Sequence, residues 1–510
     1  MPPSRGLKNL LEATSQVVKT PLSRRELSTL IHRGTFTTPV EAGPCRKRQL
    51  PATFTAGQGL PTERPPAGCR ARIQRRYASS SNSSNLKHTP LYKVHTDLGA
   101  RMGPYASYSM PLEYPDQSHS DSHKWTRTHA SLFDVSHMVQ HKLTGELAEE
   151  FLMTVTPSSL DSLKKHSSTL SCLLSPEGGI VDDTVITRIG TDPHSFYFVT
   201  NAGCHDQDIE FLDSSMSNFL KSKPDSKSAS GTRDKLNWHI LEHHALLALQ
   251  GPLSASVLQS LIFNDTEDET LDTSLSTLYF GKSRWLQLTL PETGMNTPSL
   301  LISRTGYTGE DGFEISIPPE NGDATELATA IAKALTADSS KVRWAGLAAR
   351  DSLRLEAGMC LYGHDIDSSI TPPVAALGWL VGKDRRSENP VPPFNGHEVI
   401  NRQLASPKTM ESRRVGLLIE KGPAAREGAE IVADNEVIGH VTSGCPSPSL
   451  GGQNIAMGYV KNGFHKKGTK LGVKVRKSVR QAEVTKMPFV ENNFYRPESD
   501  SESKTGETKQ

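Results

Sequence analysis

Two carboxylates stand side by side where a chain seldom puts them. Residues 176–187, Pro-Glu-Gly-Gly-Ile-Val-Asp-Asp-Thr-Val-Ile-Thr, read as a tight turn feeding a β-strand that is apolar and β-branched apart from Asp182 and Asp183. Asp is depleted in strand interiors, where burial strips water from its charge. Successive strand residues point to opposite faces, so the pair offers one carboxylate to each side and at least one faces protein. A carboxylate on a rigid strand suits a general base or a ligand anchor. The competing reading is a solvated strand edge that ties down the turn.

Other residues of the right chemistry lie far off in the chain. Glu314 sits in a strand, Phe313-Glu314-Ile315-Ser316-Ile317, on the face opposite its apolar neighbours, where plain exposure is the simpler reading. That strand follows Gly306-Tyr307-Thr308-Gly309-Glu310-Asp311-Gly312, whose three glycines let backbone come close to something. Arg350, Asp351 and Arg354 fall about one turn apart on a helix read at 342–357, fit for an internal ion network or for capture of an anion. Asn201 ends a strand just ahead of a helix read at 205–220; it caps that helix or aims its amide at a ligand. Tyr114 closes an aromatic stretch, 105–114, that resembles a pocket wall. His137, on an alternating strand at 131–141, is a candidate base or an ordinary hydrogen-bonded core histidine.

The elements needed to position these groups alternate without a regular doubly wound order. A helix reads at 144–154 with Thr144 as its N-cap, then a buried strand at 244–250 ended by Gly251-Pro252, then a helix at 254–262. Residues 221–235 form a polar insertion and 383–393 a linker or surface loop. From Arg413 onward the texture changes to short strands cut by Gly, Pro and Asn, the pattern of a small antiparallel β-barrel or sandwich. The fold class is therefore α+β, with more than one domain in 510 residues.

Composition narrows the function classes. Net charge is +1, so bulk electrostatics give no sign of nucleic-acid binding. Residues 1–76 hold 14 Lys and Arg against four acidic residues, leaving the rest of the chain at −9. That first segment is rich in Ser, Thr, Pro and Arg with no long apolar run, as in a mitochondrial transit peptide rather than a secretory signal. No stretch of 18 apolar residues is present to span a membrane. Six scattered Cys without a C-x-x-C pair argue for a reducing compartment and against structural zinc or a disulfide scaffold. Neither a dinucleotide fingerprint nor a nucleophile elbow occurs, which argues against nicotinamide or flavin chemistry and against a serine hydrolase. Asp365 and Asp367 look like half a calcium loop, but no further ligands follow at the right spacing.

Three long motifs carry more information than any spacing. The Gly306–Gly312 loop, Ala348-Ala349-Arg350-Asp351-Ser352-Leu353-Arg354-Leu355-Glu356-Ala357-Gly358, and Val441-Thr442-Ser443-Gly444-Cys445-Pro446-Ser447-Pro448-Ser449-Leu450 closely resemble the T-protein of the glycine cleavage system. That family is a tetrahydrofolate-dependent aminomethyltransferase, and the resemblance covers 89–495. It implies three domains packed as a cloverleaf around a folate-holding tunnel. It also implies a reaction: the aminomethyl group on the dihydrolipoyl arm of H-protein passes to tetrahydrofolate, giving 5,10-methylenetetrahydrofolate, ammonia and the reduced arm. Partners implied are lipoylated H-protein and, in the same system, the P- and L-proteins, in the mitochondrial matrix.

By the same resemblance the critical acid is Asp183, with Asp182 in reserve, and both Glu314 and Arg350 contact ligand. A carboxylate such as Glu314 can accept the row of N–H groups on a pterin edge. Asn201 and Tyr114 are further pocket members. The family's aromatic pair after Met487-Pro488-Phe489-Val490 is here Phe494-Tyr495, where relatives often carry Tyr-Tyr. Implied boundaries are a transit peptide at 1–77, a linker at 78–88, a folate-binding region of two α+β domains at 89–380, a connecting segment at 381–412, a barrel at 413–496 and a disordered tail at 497–510. Tetrahydrofolate enters as substrate; no metal, flavin or nicotinamide is implied. The alternative is a folate-binding iron–sulfur cluster maturation factor of the same superfamily, which is not expected to carry this whole motif set. A flavin-dependent dimethylglycine or sarcosine dehydrogenase would need an N-terminal flavin region, and 1–88 is too short for one.

Overall fold

A computed structural model of the protein describes residues 86–223, 235–264 and 272–497. The transit peptide read at 1–77, most of the linker at 78–88, most of the 221–235 insertion and the tail from 498 on lie outside the described residues.

The chain begins with α1 (Tyr92–Asp97), the hairpin β1 (Arg101–Tyr105) and β2 (Tyr108–Glu113), and α2 (His119–Thr128). β3 (Ala130–Asp134), β4 (Val139–Thr144), α3 (Ala148–Val155), β5 (Ser167–Leu174), β6 (Ile180–Thr191) and β7 (His194–Thr200) follow, then α4 (His205–Lys221) and β8 (Asn237–Ile240). Next come β9 (Ala245–Gln250), α5 (Ser254–Gln259), β10 (Ser283–Leu286), β11 (Leu300–Ser303), β12 (Gly312–Ile317), α6 (Thr325–Leu335), β13 (Val342–Trp344) and α7 (Leu347–Glu356). After α8 (His397–Ala405) the chain is all β: β14 (Ser412–Ile419), β15 (Glu430–Ala433), β16 (Glu436–Ser447), β17 (Gln453–Lys461), β18 (Lys470–Val475) and β19 (Ser478–Thr485).

These elements build a five-stranded sheet, β5-β6-β7-β4-β8, and a six-stranded sheet, β10-β11-β12-β9-β3-β13. Each is apolar on its helix-covered face. On the first, Ile186, Phe196 and Phe198 pack under Phe151 and Leu152 of α3 and Leu212 of α4. On the second, Leu247, Leu249, Phe313, Ile315 and Ile317 pack with Leu258 of α5 and Ile331 of α6. The C-terminal strands close into an antiparallel barrel, β14-β17-β16-β15-β18-β19, with its own core of residues such as Leu417, Ile431, Val441 and Val473. The α+β expectation and the terminal barrel hold.

Several local readings do not. The strand expected at 131–141 breaks into β3 and β4, because Asp134 Oδ1 accepts the Ser136 N–H at 2.9 Å and turns the chain. Thr144 caps nothing; it ends β4 opposite Ser195, and α3 starts four residues later without a side-chain cap. The helix expected at 342–357 opens as strand β13, and Gly346 makes the break: a Cβ there would lie 2.2 Å from the Leu112 carbonyl oxygen. The helix read at 254–262 ends at Gln259. The loop at 383–393 is no mere surface linker, since Arg385 is 1% exposed and donates to the Met153 carbonyl at 2.7 Å.

Candidate active site between two sheets

The second face of each sheet is where the chemistry gathers. Period-two alternation sends Val185, Thr187 and Tyr197 of β6 and β7 away from their helices, and does the same for Ser303, Glu314 and Ser316 of β11 and β12. These faces oppose one another across a narrow cleft that Val199, Leu246, Leu301 and Thr305 also line. Glu314 is half-buried there and accepts the Thr305 hydroxyl at 2.6 Å. Tyr197 donates its hydroxyl to Gln140 Oε1 at 2.9 Å, and Ser316 donates to the same oxygen at 2.6 Å.

Asp183 shares the parity of Val185 and Thr187 and so lies on the same face of β6 as these two lining residues, next to the lined space rather than in its wall, where it is half-buried. Asp182 points the other way, toward α4, and is 0% exposed. Burial, reinforced by the negative charge of Asp182, pushes the Asp183 carboxyl up to about 7. Among the described residues no cation pairs with either acid. Such an acid, partly wet and titrating near neutrality, is suited to taking and returning a proton.

Asn201 links the two. Its backbone N–H donates to Asp182 Oδ2 at 2.7 Å, and its side-chain Nδ2 donates to Asp182 Oδ1 at 2.8 Å and to Asp183 Oδ1 at 3.0 Å. It makes no side-chain cap to the helical turn that follows. The capping reading is thus replaced: this amide fixes a carboxylate pair rather than a helix end.

The two arginines of α7 divide the alternatives between them. Arg354 is the network residue, 3% exposed, bonded to Asp351 at 2.8 Å, Asp365 at 2.6 Å and the Ser443 hydroxyl at 3.0 Å. Arg350 has no salt bridge among the described residues, leaves a buried Nη1 without a partner, and lies 5.0 Å over the Tyr307 ring. An orphaned guanidinium N–H is a donor waiting for an acceptor, which fits an anionic ligand. Tyr105 lies within electrostatic reach of both Arg350 and Asp183.

Other expected site residues sit elsewhere. Tyr114 is 6% exposed, and its hydroxyl is taken up by His95 Nδ1 at 2.9 Å, so it is not brought to the cleft. Phe494 stacks on Phe280 at 3.9 Å, while Tyr495 donates its hydroxyl to the Ser276 carbonyl at 3.1 Å. His137 stands edge-on to Tyr105 at 5.4 Å, and burial lowers it to about 4, which keeps it neutral. The glycines of the 306–312 loop let its backbone pack against protein: a Cβ on Gly306 would meet Gln250 Oε1 at 1.9 Å. Its Glu310 pairs with Arg127 at 2.9 Å. Asp365, once half a calcium loop, is the buried partner of Arg354.

Sequence reasoning passed over Tyr307 and Asp208. Asp208 looks like an ordinary acid in the first turn of α4, yet it is 0% exposed. With Asp182 and Cys204 it forms the one group of potential metal-ligand side chains found among the described residues, all donor atoms within 4.8 Å of one another.

A family model described as the GCVT N-terminal domain matches residues 91–385, and one described as the glycine cleavage T-protein C-terminal barrel domain matches 413–491. The chain belongs to the glycine cleavage T-protein family. Among curated relatives, the mitochondrial aminomethyltransferase of Saccharomyces cerevisiae is 46% identical over 420 residues, covering 81% of this chain and 97% of that one. The probable mitochondrial aminomethyltransferase of Schizosaccharomyces pombe is 44% identical over 424 residues, covering 83% and 98%. The crystal structure of glycine cleavage system aminomethyltransferase T from Bartonella henselae matches with a TM-score of 0.67 at 37% identity, covering 81% of this chain and 100% of that one. Membership of the T-protein family implies folate use.

Proposed function

We propose that this cleft transfers an aminomethyl carbon from the dihydrolipoyl arm of H-protein to tetrahydrofolate, with Asp183 as the acid–base group at the reacting nitrogen. The chain is a mitochondrial aminomethyltransferase of the glycine cleavage system. The observation that carries the residue-level reading is Asp183 itself: a carboxylate without a cation, half-buried on the cleft face, anchored by Asn201 and raised to about 7.

Tetrahydrofolate supplies the nitrogen nucleophile when bound. Asp183 accepts a hydrogen bond or a proton from that nitrogen and returns the proton toward the departing ammonia. Glu314, across the cleft, accepts from the N–H edge of the pterin, and its bond from Thr305 fixes the carboxylate plane for that purpose. Arg350 offers its unpaired Nη1 to the anionic side of folate. The half-apolar walls, with Val185, Val199 and Leu246, keep bulk water from the reacting carbon. Lipoylated H-protein delivers the donor in the mitochondrial matrix, and the P- and L-proteins complete the system.

The test is direct. Purified protein mixed with aminomethyl-loaded lipoyl H-protein and tetrahydrofolate should release ammonia and form 5,10-methylenetetrahydrofolate. A chain that bound tetrahydrofolate yet released no ammonia would act as a binding protein, and the transfer reading would be abandoned.

A further inference from the structure

We propose that Asp182 and Asp208 hold one proton between them, and that this acid–carboxylate pair acts through Asn201 to position Asp183. The second half of the proposal rests on the reading of Asp183 given above; the first half does not.

The geometry is that of two carboxyls with no charge partner among the described residues. Asp182 and Asp208 are each 0% exposed and Cys204 is 6% exposed. Donor atoms of all three lie within 4.8 Å of one another. Asp182 receives the two Asn201 donors at 2.7 and 2.8 Å. Neither oxygen of Asp208 receives a well-formed bond from an N–H or hydroxyl donor, although Asp182 and Thr200 stand within reach. Two ionised carboxylates sealed together without a cation would repel at close range in a medium that screens poorly. One proton between them removes a charge and at once gives the Asp208 oxygens a partner.

Among the described residues no Lys, Arg or His forms an ion pair with either acid; His205, at the start of the same helix, pairs with Asp206 instead at 2.8 Å. Cys172 of β5 and Cys204 are thiols that burial pushes up, and Tyr362 is raised likewise. His141 of β4, whose Nε2 meets the Thr200 hydroxyl at 3.1 Å, is held neutral by burial at about 3. Asp183 on β6 adds a further acid. Burial and the neighbouring Asp182 both push the Asp208 carboxyl up, the direction that favours keeping a proton on the pair. The N-terminal turn of α4, the positive end of its dipole, favours the single negative charge that remains.

Through Asn201 the arrangement reaches the cleft. The same Nδ2 that donates to Asp182 also donates to Asp183 Oδ1 at 3.0 Å. A singly charged pair holds that amide in one orientation, and Asp208 is thereby a positioning residue.

Two variants separate the possibilities. In infrared difference spectra of the intact protein in alkaline buffer, where Asp183 is ionised, Asp208→Asn should remove one protonated-carboxyl C=O band per chain. Asn still donates to Asp182 and leaves the pair with one charge, so the acid limb of the pH–kcat profile should stay in place. Asp208→Leu supplies no donor; Asp182 then takes the proton itself, its charge is lost, and the limb should move to lower pH. Absence of the band from the wild-type protein, or an acid shift in Asp208→Asn as large as that in Asp208→Leu, would mean two charges and overturn the proposal. Stoichiometric metal in the purified protein that disappears in Asp208→Asn would overturn it in favour of a cation site. If the band is lost as expected but both variants keep the wild-type profile, the pair exists and its link to Asp183 does not.

Discussion

Buried acids in this chain fall into two regions that treat charge in opposite ways. Around α2 and α7, Glu356 accepts from Arg127 at 2.8 Å, from Ser449 at 2.7 Å and from His123 at 3.0 Å. Burial works against its charge, but the His123 contact and the serine donors outweigh it and hold the carboxyl down at about 2. Asp134 behaves alike, with His95 and Thr89 as partners, and sits at about 2. Around β6 and α4, Asp182 and Asp208 are as deeply placed and Asp183 is half-buried; among the described residues none of the three has a cation paired with it, and all three are raised. The same side chain is a staple in one region and a titrating group in the other, and the histidine, hydroxyl and guanidinium partners around it make the difference.

The largest effect expected from this contrast is in turnover. Asp183→Asn keeps the Asn201 contact in shape but cannot take a proton, so ammonia release should fall by roughly 10²–10⁴-fold, the usual worth of a general acid–base group. Thermal stability should hold or rise, because the substitution removes a charge that burial disfavours. If Asp182→Asn gives that loss while Asp183→Asn turns over normally, the assignment of the two faces is reversed.

On the staple side the loss should be in folding. Arg127→Met leaves Glu310 and Glu356 buried without their guanidinium, and breaking a buried pair from one side costs about 3–5 kcal/mol. Denaturant unfolding reads this directly. Turnover per folded molecule should change little; a variant as stable as the wild type would show that the cluster holds nothing together.

A smaller effect belongs to Glu314. Its removal in Glu314→Ala costs charge-assisted hydrogen bonds to the pterin edge, and tetrahydrofolate affinity should weaken on the order of 10-fold or more. Equilibrium binding in the absence of H-protein isolates this from the chemistry. Unchanged affinity would move the pterin out of reach of β12.

How much of this was legible beforehand varies from residue to residue. Alternation alone put Glu314 opposite Phe313, Ile315 and Ile317, and the structure agrees. What alternation could not say is that a second sheet, some 130 residues earlier in the chain, would lie over that face and make an ordinary strand acid part of a cleft. The choice within Asp182-Asp183 was closed to sequence for a related reason: both faces of β6 are apolar, so parity has no reference until α4 covers one of them. Asp208 was invisible because an acid in a first helical turn is common and soluble. Its burial comes from packing α4 on β6, a contact no local pattern encodes. Gly346 was missed because the strand-to-helix break there depends on how closely the Leu112 carbonyl passes. Conversely, the barrel was readable early, since turn residues punctuate its strands, although β19 and its closure onto β14 were not read.

The pH dependence of stability gives the smallest effect and the sharpest sign. Glu356 is lowered from 4.5 to about 2, so it contributes stability at neutral pH that is lost as pH falls through that interval. Asp183 is raised from 3.8 to about 7, so its folded form holds a proton that the unfolded chain releases; its contribution is present in acid and lost as pH rises through that interval. Water in the open cleft moderates the rise, which keeps the second effect modest. Unfolding free energies measured across pH should therefore show the penalty of Glu356→Gln shrinking toward acid. Asp183→Asn should gain on the wild type as pH rises toward neutrality. Equal slopes for the two variants would erase the distinction between stapled and titrating acids. Opposite slopes would confirm that one fold carries both, separated by the donors each acid finds.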